Sequence, residues 1–553
     1  MADIADIDPA AFPDLNDDQI ARLARYGTER EITAGTFLFQ PGDDSYDFVV
    51  IVEGAIDIRT GNDNEVTIAT HGARRFTGEL SMLSGQRAYL SGLVVESGRA
   101  IMIDRAALRE VFAAEPDVAD VILRAFVLRR RYLEEGEGQL SLQLIGSRFS
   151  PKTLALRGFL VRATQPHEWI DLEDLDETDA EALLASLCAR PEDTPVVVTS
   201  TKVLWNPTSG ELAEHLGLTF HSTPGRIFDL VVVGAGPAGL AAAVYGASEG
   251  LDTVVLEGGS VGGQAGTSSR IENYLGFPYG VSGQDLSNLA TVQAQKFGAR
   301  ITYPCRVAGF VPQAGWHVVR LDDGSEVPAR SVVVATGAEY RRPPVDRWRE
   351  LEGAGIAYAA TETEANVCAG KPVIVLGGGN SAGQAAMFLA GKGCDVRVVI
   401  RGDDLGKSMS RYLVDRITAH AGIRVERSTE IRTLHGAPRF EGVTCERTAS
   451  GRHDELEAAM IFCFIGAVPA TSWIGDCLAT DTAGFLLTDR DLPDERAEIW
   501  AALDRLPLPY ETSHPGVFAV GDVRAGSVKR VAAAVGEGST AVRSIHTHLA
   551  TLA

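Results

Sequence analysis

The chain has 553 residues, with 51 Lys and Arg against 74 Asp and Glu, so its formal net charge is −23. Such an acidic chain disfavours nucleic acid as a partner, and its length predicts several domains. Seven scattered cysteines form no CxxC and no zinc-type cluster, which indicates reduced thiols in a cytoplasm and no metal site. The longest uncharged run, residues 230–248, contains glycine and proline, so we expect a buried turn rather than a membrane span.

Short strands separated by glycine and aspartate turns fill residues 35–104, which predicts a small β-roll or barrel. Within them, RRFTGELSMLSGQRAYLSGLV resembles the phosphate-binding cassette of cyclic-nucleotide-binding domains. The resemblance implies that a glutamate accepts from the ribose and that an arginine pairs with the cyclic phosphate. The residues implied are Gly78, Glu79, Leu80, Arg87 and Ala88.

Two departures from that cassette leave its role open. The spacing from Glu79 to Arg87 is short, and Tyr89 stands where small or hydroxyl residues are common. The first interpretation is a site for a cyclic nucleotide. The second is a degenerate scaffold used for packing or dimerisation.

Residues 141–224 differ in pattern and faintly resemble a glutaredoxin or thioredoxin-like domain. The cues are Thr194-Pro195 before a VVV strand, where that fold keeps a cis-proline, and a closing helix with Ser209 as its candidate cap. The redox cysteines of that fold would lie in residues 146–150, where the sequence is GSRFS. We therefore expect no dithiol chemistry here, and a role in docking or as a structural linker.

From residue 228 onward strands and helices alternate, which is typical of doubly wound α/β domains. The segment VVVGAGPAGLAAA supplies a strand, a glycine turn and a helix. Gly234 permits the tight turn, Gly236 admits a pyrophosphate, and Gly239 lets helix and strand pack closely. Glu257 ends the next strand and can accept from a ribose hydroxyl. The predicted contacts are Gly234, Gly236, Pro237, Ala238, Gly239 and Glu257.

A second complete unit, VIVLGGGNSAGQA, follows with Gly377, Gly379 and Ala382 in the same roles. Its second strand ends in Arg401, and a cation there suits a 2′-phosphate, which favours NADPH over NADH. The alternative is a surface arginine on a loop that contacts only the dinucleotide backbone. The predicted contacts are Gly377, Gly379, Asn380, Ser381, Ala382, Arg401, Lys407 and Arg411.

With GGSVGGQAG, RIENYLGFP, VVVATGA, FCFIGAVP and HPGVFAVGDV in order, the chain from about residue 226 resembles the low-molecular-weight thioredoxin reductase family. The resemblance implies FAD at the first glycine turn, NADPH at the second, a homodimer, and a helix pointing at the flavin ring. The further cofactor contacts that it implies are Gly263, Gln264, Asn273, Thr336, Gly337, Gly521, Asp522, Lys529, Arg530 and Val531.

The redox dithiol of that family is missing. Its CATC aligns with residues 359–362, so Ala359 and Glu362 occupy the cysteine positions, and neither can attack or resolve a disulfide. We expect an FAD-dependent oxidoreductase that passes hydride from NADPH to FAD and on to an acceptor. The acceptor classes left open are a thioredoxin- or ferredoxin-like protein, a quinone, oxygen and a small disulfide. The alternative is a regulatory protein that binds FAD and NADPH with little turnover.

The predicted fold is therefore multidomain. A β-roll with helices occupies residues 1–140, and a thioredoxin-like α/β module without cysteines occupies residues 141–224. Two doubly wound α/β domains follow. The FAD-binding domain comprises residues 225–344 and 473–553, and the NAD(P)H-binding domain comprises residues 345–472.

Overall fold

A computed structural model describes residues 8–552 with short gaps. The gaps are residues 44, 61–65, 85, 136–141, 164, 220–224, 260, 267, 269–270, 272–273, 314, 353, 359, 361, 437–439 and 495–496. Among the described residues, no helix combines the length and apolarity needed to cross a membrane. The same residues hold no cluster of three side chains suited to a metal ion.

The first module is an antiparallel roll closed by helices. Its elements are α1 (Asp17–Leu23), β1 (Thr28–Ile32), β2 (Phe37–Phe39), β3 (Phe48–Thr60), β4 (Thr67–His71), α2 (Ser81–Ser84), β5 (Leu90–Ile103), α3 (Arg105–Ala114) and α4 (Pro116–Glu135). The strands lie in the order β1-β5-β3-β4, and β2 pairs with β5. Phe48, Phe76 and Phe126 pack together in its core and join the sheet to α4. The predicted β-roll is present.

The second module is a mixed four-stranded sheet with helices. Its elements are β6 (Gln143–Gly146), α5 (Pro151–Arg162), β7 (Glu168–Asp171), α6 (Glu177–Ser186), β8 (Val196–Val198), β9 (Val203–Trp205) and α7 (Ser209–His215). The order is β7-β6-β8-β9, with β7 parallel and β8 antiparallel to β6. The Thr194–Pro195 peptide is cis, as expected. The cap of α7 is Thr208 rather than Ser209, because Thr208 and Glu211 satisfy each other's backbone N–H groups.

Two α/β domains with parallel central strands complete the chain. In chain order their first elements are β10 (Phe228–Val233), α8 (Pro237–Ser248), β11 (Thr253–Leu256), α9 (Gly263–Gly266), α10 (Gly283–Lys296), β12 (Arg300–Thr302), β13 (Val307–Pro312), β14 (His317–Leu321), β15 (Glu326–Val334) and β16 (Ala338–Tyr340). The next are β17 (Ile356–Ala357), α11 (Glu362–Val367), β18 (Pro372–Leu376), α12 (Asn380–Gly391), β19 (Asp395–Val399), α13 (Arg411–Ala419) and β20 (Ile423–Glu426). The last are β21 (Thr429–His435), β22 (Gly442–Arg447), β23 (Arg452–Glu457), β24 (Met460–Cys463), β25 (Ala467–Pro469), α14 (Ala497–Ala502), β26 (Val517–Ala519) and α15 (Val531–Leu549).

The first of these domains is built on the strand order β12-β11-β10-β15-β14-β13, and β26 returns late in the chain to pair with β15. The second is built on β17-β24-β18-β19-β20. The antiparallel pair β16 and β25 carries the chain from one domain to the other and back. Because parallel strands end at one edge of a sheet, each glycine turn lies where its central strand stops.

The modules share buried surface. One continuous cluster of buried apolar side chains includes Leu156 and Leu212 of the second module together with Leu230 and Val232 of β10. On the other side, Val292 of α10 packs against the core of the first module. The first two modules therefore lie directly against the domain that carries the first glycine turn.

Candidate functional site

The first glycine turn has the geometry that its sequence predicts. A Cβ on Gly234, at φ +104°, would lie 2.4 Å from the carbonyl oxygen of Ala335, and one on Gly239 would lie 1.9 Å from that of Gly234. A Cβ on Gly236 meets nothing within 4 Å. Gly236 is also the N-cap of α8, and no side chain caps that helix. The turn therefore presents open space at a helix N-terminus, which is an anion-binding position.

Glu257 closes the floor of this turn. Its carboxylate accepts from the backbone N–H of Ala235 at 2.7 Å and from that of Gly259 at 2.8 Å. Gly263 lies against the turn as well, because its Cβ position is 3.2 Å from the Cα of Gly236. The structure thus brings Gly236, Glu257 and Gly263, three predicted contacts of the first unit, together at one turn.

The chain returns to the same place after β26. A Cβ on Gly521 would lie 2.9 Å from the Cβ of Ala238, next to Pro237 at the start of α8. Asp522 is half-buried, and burial raises the pKa of its carboxyl while Lys529 opposes the shift. Among the described residues nothing donates a hydrogen bond to the Asp522 carboxylate. A half-buried acceptor without a donor suits a hydroxyl group supplied by a ligand.

Glu537 holds this loop in place and was not found from the sequence. Its carboxylate accepts from Gly521 N–H at 2.7 Å and from Arg524 Nη2 at 2.6 Å. The side chain is almost fully buried in the second turn of α15. An acid between Gly536 and Gly538 in an otherwise apolar stretch is the signal that was available.

Three predicted residues lie at the start of α15. Val531 is its first residue, and Arg530 is its N-cap with an extended backbone and no side-chain hydrogen bond. Lys529 and Arg530 are exposed, and the Lys529 ammonium lies 4.8 Å from the centre of the Phe485 ring. A second helix N-terminus therefore opens near the first one, with positive charge beside it.

The remaining contacts of the first unit lie where its domain joins the next. Thr336 Oγ1 donates to Ala470 O at 2.9 Å, and Ala470 N–H donates to Gly337 O at 3.1 Å, so the two connecting segments clasp each other. The Gln264 amide donates to Ala338 O at 2.6 Å. Asn273 lies outside the described residues.

The second glycine turn repeats the first. A Cβ on Gly377, at φ +135°, would lie 2.2 Å from the carbonyl oxygen of Phe464, whereas one on Gly379 meets nothing within 4 Å. Gly379 is the uncapped N-cap of α12, and Ala382 is completely buried at the packing position. The side chain of Asn380 is used differently from the prediction, because it accepts from Ser410 N–H at 2.7 Å. Like Asn380, its neighbour Ser381 is exposed.

The three cations predicted at this unit have different surroundings. Lys407 pairs with Asp403 at 2.6 Å, and Arg411 pairs with Asp415 at 3.3 Å. Arg401 is exposed and has no ion-pair or hydrogen-bond partner among the described residues. Of the three, Arg401 alone keeps an uncompensated charge for an incoming phosphate.

The dithiol positions are only partly visible. Ala359 lies outside the described residues, and Glu362 is the first residue of α11 with its side chain not described. Four of the seven cysteines are poor substitutes. Burial raises the pKa of Cys305 and Cys463 to about 12 and that of Cys445 to about 11, and it also raises the pKa of Cys368. These thiols stay protonated, and a protonated thiol is a weak nucleophile.

In the first module the predicted set is divided. Gly78, Glu79 and Ala88 line one cavity. Arg87 does not line it: this side chain is exposed and donates to His215 O of the second module at 3.3 Å. Leu80 is partly buried against the core of the module. In this conformation Arg87 therefore lies outside the cavity that Gly78, Glu79 and Ala88 line.

Both glycine turns fit a dinucleotide. Each has an uncapped helix N-terminus, free space where a side chain would stand, and a charged residue at the end of the following strand. This fold and this pair of sites define an oxidoreductase with two nucleotide cofactors.

Comparison with known proteins agrees. Residues 228–538 match the family described as pyridine nucleotide-disulphide oxidoreductase, and residues 29–115 match the cyclic nucleotide-binding domain. The first match spans more than half of the chain, which belongs to the pyridine nucleotide-disulphide oxidoreductase family. FAD and NADPH, the cofactors predicted from the sequence, are those of its thioredoxin reductase-like members.

Individual relatives cover a similar share of the chain. The chain is 31% identical over 321 residues to the thioredoxin reductase of Bacillus subtilis, covering 58% of this chain and 94% of the relative. It is 31% identical over 313 residues to a 34.2 kDa protein of the rubredoxin operon of Clostridium pasteurianum, covering 57% and 94%. The crystal structure of Lactococcus lactis thioredoxin reductase superposes with a TM-score of 0.51 at 27% identity, covering 58% of this chain and 99% of that one.

Proposed function

We propose that this protein is an FAD-dependent NADPH oxidoreductase that delivers electrons from its flavin to an external acceptor without a protein dithiol. The observation that carries the proposal is the pair of glycine turns with open, uncapped helix N-termini in a chain that holds no CxxC. When bound, NADPH supplies a hydride and FAD accepts it. The protein supplies binding, orientation and charge.

The first unit is arranged for the flavin cofactor. The N-terminus of α8 faces the space beside Gly236, where it would hold a pyrophosphate. Glu257 and Asp522 are the acceptors for hydroxyl groups of the cofactor. The N-terminus of α15, with Lys529 and Arg530, would stabilise negative charge on a reduced ring.

The second unit is arranged for NADPH. Asp403 and Asp415 neutralise the two neighbouring cations, whereas no described acid competes for Arg401. A guanidinium binds a phosphate through two parallel hydrogen bonds, so Arg401 favours a dinucleotide with a 2′-phosphate.

Direct transfer to the acceptor follows from the thiol chemistry. A relay through the protein needs a thiolate and a second thiol that resolves the mixed disulfide. Alanine and glutamate stand at the aligned positions, and burial raises the pKa of Cys305, Cys368, Cys445 and Cys463. This supports an acceptor that reaches the flavin itself, and the candidates are a thioredoxin- or ferredoxin-like protein, a quinone, oxygen and a small disulfide.

The second module supports docking rather than chemistry. Its strand order, β7-β6-β8-β9, supports the thioredoxin-like fold that we propose for it. Gly146 ends β6 beside Pro195, with 3.2 Å between its Cβ position and the Pro195 Cβ, and Ser150 caps α5. The sequence between them, SRF, contains no cysteine.

Anaerobic rapid mixing of the FAD-loaded protein with NADPH tests the proposal. We expect the visible flavin absorbance to bleach at a rate in the usual range of turnover, about 1–1,000 per second. A flavin that stays oxidised for minutes would contradict the enzyme and favour the regulatory protein that only binds both cofactors. A steady-state assay with a disulfide reagent that reports on dithiol activity is the second test. Reduction of that reagent at the rate of a thioredoxin reductase would contradict transfer without a dithiol.

A further inference from the structure

A cavity of about 50 Å³ lies in the first module between the sheet and α4. Most of its wall is apolar, and the residues that matter here are Phe39, Ile68, Ala69, Leu90 and Leu133. Three of the residues predicted to contact a cyclic nucleotide also border it. The cavity therefore occupies the place where that ligand was expected.

Its polar groups do not suit a cyclic nucleotide. Both oxygens of Glu79 are already acceptors, one from Ser81 N–H at 2.8 Å and the other from the buried Arg130. Arg87 packs on the second module, where its Cγ is 3.3 Å from the Cβ position of Gly217. Glu79 is thus held by Ser81 and Arg130, and the arginine expected to pair with the cyclic phosphate points elsewhere.

The size of the cavity agrees with this. Pockets for drug-sized ligands usually measure about 300–1,000 Å³. A volume of about 50 Å³ has room for roughly four water-sized groups. A purine with its ribose and phosphate needs several times more space.

The cavity nevertheless has a buried cation that no carboxylate among the described residues pairs with. Arg129 of α4 lines it, is almost fully buried, and donates only to the backbone oxygens of Ala11, Gly78 and Phe76. A guanidinium has five N–H groups, so two donors remain. No carboxylate among the described residues pairs with Arg129, and burial lowers its pKa to about 9. The guanidinium lies 5.5 Å and 4.6 Å from the ring centres of Phe12 and Phe76, which offsets part of the cost of burying it. A buried cation without a carboxylate partner is still costly, and an anion would offset the rest.

A second polar group faces the same space. His71 ends β4, lines the cavity and is 2% exposed, and its Nδ1 atom has no hydrogen-bond partner in the part of the chain that the structure describes. Burial keeps the pKa of His71 well below its usual range, so the ring is neutral. A neutral imidazole can donate one hydrogen bond without adding charge.

We infer that this cavity binds a small monocarboxylate of two to four carbons in place of a cyclic nucleotide. The carboxylate accepts from the two remaining N–H groups of Arg129 and from His71. The short alkyl chain lies against the apolar wall near Ala69 and Leu90. Among the described side chains, Arg129 and Arg130 contribute two positive charges and Glu79 one negative charge, so one further negative charge balances the excess.

Calorimetry on the full chain with sodium propionate tests this inference, with propionamide as the neutral analogue. We expect saturable binding of propionate and none of propionamide. Two variants act on different features: Arg129→Lys removes the fork of donors, and Ala69→Leu fills the cavity while leaving every bond of Arg129 intact. We expect each to weaken propionate binding at least about tenfold, whereas Arg131→Lys, on the exposed side of α4, leaves it unchanged.

Three results would overturn the inference. One is the absence of saturable heat with millimolar propionate. Another is equal binding of propionamide, which would mean that the apolar wall alone selects the ligand. The third is binding of cyclic AMP or cyclic GMP that Ala69→Leu abolishes, which would mean that the cavity binds a cyclic nucleotide. Flavin reduction by NADPH is measured in parallel, so failure here is distinct from failure of the proposed enzyme.

Discussion

The two glycine turns have the same backbone and opposite electrostatics. In both, the first glycine has positive φ and no room for a Cβ, and the glycine two residues later, Gly236 or Gly379, is an uncapped helix start facing open space. The first turn is closed by Glu257, whose carboxylate accepts from Ala235 N–H within the turn. The second unit ends in Arg401, which is exposed and without a partner among the described residues.

This difference shows that the glycines and the residue ending the following strand determine different properties of the site. The glycines determine that a dinucleotide can approach a helix N-terminus, because only a missing side chain leaves that space. The residue that ends the following strand determines which dinucleotide is held, because it meets the ribose. An acid accepts from ribose hydroxyls, and a guanidinium binds a 2′-phosphate.

We expect the largest effect from substitutions that disturb the backbone geometry common to both glycine turns. Gly234→Ala forces a Cβ to 2.4 Å from Ala335 O at φ +104°, so the free energy of unfolding should fall by about 3 kcal/mol or more. Gly236→Ala places its Cβ in open space with an extended backbone, so stability should fall by less than about 1 kcal/mol. FAD affinity of that second variant should still fall by about 100-fold, because the methyl occupies the place of the pyrophosphate.

Chemical denaturation followed by circular dichroism, with flavin content after purification, separates the two variants. The pair acts as its own control, since both change one glycine of one turn to alanine. If Gly236→Ala retains FAD with the affinity of the parent protein, the open space beside α8 is not the pyrophosphate position. The first dinucleotide site would then be assigned wrongly.

An intermediate effect is expected where the two turns differ. Arg401→Gln removes the one predicted cation that no described acid neutralises, so kcat/KM for NADPH should fall by about tenfold while that for NADH changes little. The readout is the rate of flavin reduction at varied concentrations of each nucleotide. Flavin content should stay at the level of the parent protein.

Lys407→Gln and Arg411→Gln are the matched controls for that prediction. Each side chain is already paired with an aspartate one helical turn away, at 2.6 Å and 3.3 Å. Their loss should change the ratio of NADPH to NADH activity by less than about threefold, since exposed pairs of this kind contribute little. An effect of Lys407→Gln larger than that of Arg401→Gln would move the phosphate site along the loop.

The sequence predicted well those features that depend on backbone geometry, and particular residues explain why. The roles of Gly234, Gly239 and Gly377 follow from spacing alone, because each prevents a collision with a carbonyl or lets a helix approach a strand. The β-roll was likewise readable from turn signals. The helix of SVKRVAAAVGEG was expected from the family resemblance, and it begins at Val531.

Side chains whose direction depends on distant packing could not be read in this way. Arg87 lies in the expected cassette, but its orientation is set by His215 and Gly217, which lie more than 120 residues later in the chain. The role of Glu537 depends on a loop that folds back onto α15, and the Asn380 side chain accepts a hydrogen bond from Ser410 N–H of the next loop. Local sequence carries no record of these partners.

We expect the smallest effect from removing either of two hydrogen bonds at the second glycine turn, which has no acid in the position that Glu257 has at the first. Ser408 Oγ donates to Gly378 O at 2.9 Å, and Asn380 accepts from Ser410 N–H at 2.7 Å, so these two bonds hold the loop after Arg401 against the turn. Asn380→Ala and Ser408→Ala should each raise the KM for NADPH about threefold without changing the rate at saturation, because one exposed hydrogen bond contributes about 0.5–1.5 kcal/mol. Glu257→Gln is the counterpart at the first turn, and it should lower flavin content while leaving the KM for NADPH unchanged. A large fall in the saturated rate for Asn380→Ala would mean that this amide contacts the dinucleotide and is released from Ser410 when NADPH binds.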